Sequence, residues 1–180
     1  TLPQFAWRII DDKRRNLPCG EIGELVIKGE GISMGYHNLP DATAETIVDS
    51  WLHTGDLFRA DEEGFLYLTG RTKELIKTGG ENVYPVEVDS VLTGHPAITD
   101  AAVVGVPDKR WGEAVKAFVV VAPGQTLTRQ DIVTWCREHI AGYKRPRYIE
   151  FVEEIPRDFN LKVQRLQLAA RVTTADQAVN

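Results

Sequence analysis

Sulfur is scarce in this sequence: two cysteines, Cys19 and Cys136, and one methionine stand in 180 residues. Neither cysteine belongs to a CxxC pair, and no histidines are spaced as ligands. That argues against a disulfide framework or a zinc site and for a reducing, cytoplasmic compartment. No apolar run approaches the roughly 20 residues that a membrane span requires. Positive charge is not in excess either. Lys and Arg number 21 against 26 Asp and Glu, the net charge is -5 and the pI is about 5.4. A general nucleic-acid binder would need a basic surface, so that class is disfavoured. The opening Thr1-Leu2-Pro3-Gln4 has no initiator Met and no signal-peptide pattern; a fragment or a processed chain is expected to look like this. Repeats and low-complexity stretches are missing. What is present is ordinary for a soluble globular protein, with 43% hydrophobic and 26% charged residues. The length suits one medium domain or two small ones.

The pattern changes near the middle. Before residue 70, strands are expected over 5–11, 18–29, 51–60 and 65–70, with a short helix over 40–48 led by Pro40. Asp61-Glu62-Glu63-Gly64 reads as a hairpin connection. This is a sheet or half-barrel, small for a self-sufficient core. After it come helices over 85–92, 126–139 and 163–171, and strands over 98–106, 114–122 and 148–152. Residues 107–112 and 155–162 read as loops, Thr128 and Asp131 as a capping pair, and the tail from Thr173 as frayed. The expected class is therefore α+β: a β-rich first part, 1–72, then a small α+β domain, 73–180.

The stretch from Gly70 to Pro85 joins the two parts. Gly79-Gly80 permits positive φ and a close backbone approach, and Pro85 presets the first turn of a helix. The connection is either a plain hairpin leading into a helix or a hinge that also touches a ligand. Other groups carry the same kind of ambiguity. Asp56, beside Gly55, could accept both hydroxyls of a ribose diol, or could only satisfy a turn. Arg71 could add a donor to the same sugar, or simply end a strand. Tyr143-Lys144-Arg145-Pro146-Arg147 suits a phosphate-bearing nucleotide, or is a solvated charge run. Trp111 is a second stacking surface or a lid on a small core. Lys162 taken alone is a solvated lysine.

Taken together these pieces resemble the adenylate-forming superfamily of acyl- and aryl-CoA synthetases, peptide-synthetase adenylation domains and firefly-type luciferases. The resemblance runs from about residue 5 to about residue 170, with motifs in family order. They are Gly20-Glu21-Ile22-Gly23-Glu24-Leu25, Gly35-Tyr36, Trp51-Leu52-His53-Thr54-Gly55-Asp56-Leu57, Gly64-Phe65-Leu66-Tyr67 and Gly70-Arg71-Thr72-Lys73-Glu74. Further on come Gly79-Gly80-Glu81-Asn82-Val83-Tyr84-Pro85, His95-Pro96, Val104-Gly105-Val106-Pro107-Asp108, Arg110-Trp111-Gly112-Glu113 and Tyr143-Lys144-Arg145-Pro146. The family's Gly/Ser/Thr-rich phosphate loop and acyl pocket have no match here. The resemblance thus implies a C-terminal piece: residues 1–72 as the barrel-type end of a large N-terminal domain, and 73–180 as its mobile lid.

The implied activity is AMP-forming acid:CoA ligation. A carboxylic acid attacks the α-phosphate of ATP, then the thiol of CoA attacks the acyl-adenylate and AMP leaves. By resemblance Lys162 is the adenylating cation and Asp56 with Arg71 hold the ribose. Lys73 is the hinge. Gly79, Gly80 and Glu81 form the loop brought to the thiol channel. Trp111, Tyr143, Arg145 and Arg147 hold the CoA nucleotide. Mg²⁺ is implied by ATP, with no ligand assignable. One departure stands out: Asn160-Leu161 precedes the lysine where relatives usually carry Thr-Gly or Ser-Gly. Alternatives are an adenylation enzyme that loads a carrier protein, or a non-catalytic piece that docks to a partner. The missing large domain is the expected partner; neither nucleic acid nor a membrane span is.

Overall fold

The computed structural model describes residues 5–171. The Thr1–Gln4 opening and the tail expected to fray from Thr173 lie outside the described residues. The chain divides into two compact units, Thr1–Lys73 and Glu74–Asn180.

The first unit is a five-stranded antiparallel sheet. Its strands are β1 (Phe5–Ile10), β2 (Ile22–Gly29), β3 (Ile47–Val48), β4 (Trp51–Ala60) and β5 (Leu66–Arg71), with one helix, α1 (Pro40–Thr46). β4 is central. It pairs with β2 on one edge and with β3 and β5 in succession on the other, and β1 completes the far side of β2. The helix expected over 40–48 stops at Thr46. Ile47 and Val48 instead pair with Leu52 and Trp51. Asp49 and Ser50, at φ 51° and 66°, form the turn between them. Two left-handed residues match the twist of a tight hairpin, and β-branched Ile and Val suit a strand. The Asp-Ser pair hides this turn, because it lacks the usual glycine.

The second unit holds β6 (Ile76–Thr78), β7 (Glu81–Val83), α2 (Pro85–Thr93), β8 (Ile98–Asp108), β9 (Gly112–Val121), α3 (Arg129–His139), β10 (Tyr148–Phe151) and α4 (Arg165–Ala170). β9 is the middle of this sheet, antiparallel to β8 and parallel to β10, with α3 in the crossover. The apolar run along β8 is explained by burial on both faces. Ala101 and Val103 join Val88 and Leu92 of α2 and Ile132 and Cys136 of α3 in one core. Ala102, Val104 and Val106 point the other way, to Leu168 of α4 and to Ile155 in the segment after β10. Alternate residues of one strand thus feed two cores, as its two-residue period requires. Lys116 shares the phase of Ala114 and Phe118 and is fully buried, with Nζ 2.8 Å from a Glu150 oxygen. Burial pushes the Cys136 thiol up to about 11, so at neutral pH it behaves as a small core side chain.

Element ends moved where side chains fix them. The Thr128–Asp131 capping box forms, with Asp131 N–H on the Thr128 hydroxyl and Thr128 N–H on the Asp131 carboxylate. It sets the start of α3 at Arg129 rather than at 126. The loop expected over 107–112 shrinks to Lys109-Arg110-Trp111, because Asp108 pairs with Gly112. Its carboxylate accepts the N–H groups of Arg110 and Trp111 at 2.8 and 3.0 Å, which holds the turn closed. The last helix starts at Arg165, not 163, because Val163 bridges back to Arg157.

Candidate functional site

In the first unit, β4 and β5 place Asp56 opposite Arg71 in register. Arg71 Nε lies 2.9 Å from Asp56 Oδ1, both side chains being partly exposed. Upstream, the ladder between β2 and β4 slips at Glu24/Val26. The bulge brings Gly55 to φ 71°, and a Cβ built there would meet nothing within 4 Å. The strand is therefore uncrowded at Gly55. Glu24 braces this bulge. One oxygen accepts the Gly55 N–H at 2.9 Å, the other lies 2.9 Å from His53 Nδ1, and the Thr54 hydroxyl donates to the Leu25 carbonyl at 2.7 Å. The Gly20–Leu25 motif alone gives Glu24 no such role, since its partners are about thirty positions away in sequence.

In the second unit, Gly79 and Gly80 form the two-residue turn between β6 and β7, with φ 59° and 86°. That is a hairpin, and it also sits against an aromatic surface. Gly79 N–H donates to the Trp111 carbonyl at 2.9 Å, and the Arg147 guanidinium carbon lies 4.3 Å from the Trp111 ring centroid. A Cβ on Gly79 would stand 2.7 Å from the indole. Gly79→Ala is therefore expected to cost about 1–2 kcal/mol in the left-handed region and to push Trp111 aside. Gly80→Ala carries the same backbone cost, but a Cβ there has nothing within 4 Å. A shift in indole fluorescence for Gly79→Ala alone, with both unfolding midpoints lowered, would bear this out.

β7, which carries Glu81, packs against the Gly142–Lys144 turn that carries Tyr143. Gly79, Gly80, Glu81, Trp111, Tyr143 and Arg147 thus belong to one neighbourhood. Arg145 lies next to this neighbourhood. Its Nε donates to the Ile140 carbonyl at 3.3 Å, and it lines a cavity of about 120 Å³ with Arg137, Arg147 and Cys136. Lys144, counted from sequence among three available cations, is committed to Glu87 at 2.6 and 2.8 Å. Burial opposes its charge, yet the hydrogen bond and field of Glu87 prevail and hold the ammonium above the usual lysine range. Burial also raises the neighbouring Tyr84 phenol.

Lys162 is exposed on a tight hairpin closed by the Arg157–Val163 bridge. The Asp158 carboxylate accepts the N–H groups of Asn160 and Lys162 at 2.8 and 3.0 Å. Arg157 ties the hairpin to β8, donating to the Leu161 carbonyl at 3.0 Å and to both Asp100 oxygens at 2.9 Å. Leu161 has φ 63°. It keeps the left-handed geometry that glycine adopts freely, at a cost of about 1–2 kcal/mol, and its side chain is 75% exposed. The structure does not bring Lys162 to the double-glycine turn. One is anchored at Asp100 and the other lies beyond Asp108, so about eight residues of β8, roughly 26 Å, separate the anchors. Lys73 is exposed in a short 3₁₀ turn, Thr72–Glu74, at the boundary of the units. Among the described residues no group of three or more His, Cys, Asp or Glu could hold a metal ion, and no helix is long and apolar enough to cross a membrane.

Residues 87–162 match the family model of the AMP-binding enzyme C-terminal domain, and the chain belongs to the adenylate-forming superfamily. It is 44% identical over 169 residues to the fatty acid–[acyl-carrier-protein] ligase ScoC of Streptomyces coeruleorubidus, covering 94% of this chain and 33% of that protein. It is 45% identical over 167 residues to a 2-succinylbenzoate–CoA ligase of Bacillus cytotoxicus, covering 92% and 34%. The ATP-bound crystal structure of MatB from Rhodopseudomonas palustris superposes with a TM-score of 0.90 at 35% identity, covering 94% of this chain and 34% of that one. The chain spans about a third of the length of the curated relatives it matches.

Proposed function

We propose that this chain is part of an AMP-forming carboxylic acid:CoA ligase. In this reading residues 1–72 close one side of the nucleotide site and residues 73–180 swing about Lys73 between two half-reactions. The observation that supports it best is the placement of two functional elements at opposite ends of β8. A small domain with a cation at one end and a glycine turn beside a Trp–Arg platform at the other must turn to present both to one site.

The residues fit their roles. Asp56 offers carboxylate oxygens to a ribose diol while Arg71 holds the carboxylate in place. Lys162 offers a mobile ammonium where the acid carboxylate and the α-phosphate of ATP meet, two anions that repel without a cation between them. After rotation the Gly79-Gly80-Glu81 turn lines the path of the thiol. Trp111 supplies a ring face to a base, and Arg147, Arg145 and Tyr143 supply charge and stacking to a nucleotide. Mg²⁺ would enter with ATP. The cytoplasm, which supplies ATP, CoA and a reducing environment, is the compartment for this chemistry.

A second reading, transfer of the acyl group to a carrier protein, is favoured by one observation, the 44% identity to a carrier-protein ligase. A thiol-acceptor assay on the full-length enzyme separates the two. With ATP and a panel of carboxylic acids, acyl-CoA formation is the expected result. Acylation of holo-carrier protein without CoA turnover would replace the first reading by the second, and no adenylate in either case would overturn both.

A further inference from the structure

We propose that Arg165 is a positioning residue. It clamps Glu74, the first residue of the second unit, so that rotation is confined to the backbone ahead of Glu74 and Lys162 moves with it as part of one body. The geometry stands alone; the consequence for catalysis rests on the ligase reading above.

Arg165 opens α4, three residues after Lys162, and its side chain is 12% exposed. Each edge of its guanidinium is used. Nε donates to Glu74 Oε2 at 2.9 Å, Nη1 to the Val103 carbonyl at 2.8 Å and Nη2 to Asp89 Oδ2 at 2.6 Å. Asp89 Oδ1 accepts the Val103 N–H at 2.7 Å. One planar group therefore fastens the 3₁₀ turn at the unit boundary to α2, β8 and α4. A lysine ammonium could not reproduce that fork.

The segment from Lys162 to Arg165 is itself held. Val163 bridges to Arg157, and Gln164 N–H donates to the Pro156 carbonyl at 2.8 Å. On the other side of the clamp, Glu74 leads through Leu75 to Ile76, which is 1% exposed in the core. The backbone from Glu74 onward is thus tied to the sheet, and exposed Lys73 is the residue just before the tie. A hinge needs such a limit: a few residues absorb the φ/ψ change while the neighbours stay fixed.

The Glu74 arm separates positioning from folding. Asp89 and the Val103 carbonyl already satisfy Arg165 in the interior. Glu74 is 31% exposed, and an ion pair of that exposure adds little to stability. Its distinctive property is its place in the chain, directly after the pivot.

The test compares Glu74→Ala, which deletes the arm, with Glu74→Gln, which keeps an acceptor oxygen for Arg165. In this chain, amide hydrogen exchange at residues 74–76 is expected to rise at least about fivefold in Glu74→Ala, with little change in unfolding midpoint. Glu74→Gln should restore most of the protection. Exchange in Glu74→Ala equal to wild type would overturn the clamp, whatever the enzyme does. In the full-length enzyme, Glu74→Ala is expected to lower acyl-adenylate formation relative to thioester formation from supplied acyl-adenylate by roughly fivefold. An unchanged ratio, or equal loss in both steps, would overturn the link to Lys162. If the wild-type enzyme adenylates no acid, the ligase reading fails and the exchange result alone decides the clamp.

Discussion

Replacing Lys162 by alanine in the full-length enzyme is expected to slow acyl-adenylate formation by about two to three orders of magnitude, the loss seen when one oriented donor is removed from a transition state that gathers negative charge. Thioester formation from supplied acyl-adenylate should be nearly unaffected, because the proposed rotation carries the lysine hairpin away for that half-reaction. The fold should also survive. The Lys162 side chain is exposed, and the hairpin is held by its backbone, by Asp158 and by Arg157. ATP–pyrophosphate exchange and single-turnover thioester formation measure the two steps separately. Intact exchange in the variant would remove Lys162 from the chemistry. Equal loss in both steps would show a general defect instead.

Arg165→Met should have the largest effect on stability, about 3–5 kcal/mol, the usual result of stripping the partner from a buried charge. Asp89 would keep only the Val103 N–H, in a site where its side chain is 17% exposed. Burial already lifts the Asp89 carboxyl above its ordinary value of 3.8, and Arg165 draws it back only in part. The sign follows. An acid whose folded pKa is raised contributes its full share to stability below the unfolded value, and loses it as pH rises through the folded value. Without Arg165 the folded value climbs further, so the pH range over which stability falls extends upward. Denaturant unfolding should therefore find Arg165→Met weaker at pH 7.5 than at pH 4.5, by more than the wild type. Adding Asp89→Asn should recover a large part of the loss. A double variant as unstable as the single one would mean that the cost lies in packing of the arginine stem rather than in the stranded carboxylate.

How far the sequence could be read varies with the range of the interaction. The apolar runs of β8 and β9 and the Thr128–Asp131 box were legible, because each lies within a few residues along the chain. The same holds for Pro85 at the head of α2. The Ile47–Val48 strand was not, because its turn uses Asp49 and Ser50 in left-handed geometry without glycine. The extent of β8 beyond Val106 was hidden by Pro107, which reads as a break although its neighbours remain paired with β9. At the candidate site the motifs drew attention to Asp56, Arg71, Trp111 and Lys162, but gave no hint of their supports. Glu24 under the Gly55 bulge, Glu87 on Lys144, and Asp89 and Glu74 on Arg165 join positions about 29 to 91 residues apart. Nothing in local composition marks such partners.

By itself, the sequence determined the α+β class, which follows from local periodicity, and the order of the motifs, whose resemblance pointed to the adenylate-forming superfamily. Only the tertiary structure decided that the lysine hairpin and the double-glycine turn occupy opposite ends of one β-ribbon, that Leu161 keeps a glycine-like backbone, and that Arg165 ties the boundary residue Glu74 to the core. The reason is physical. Local torsional preference selects elements, but which side chains meet depends on how distant strands register and on which charges must be paired once they leave water.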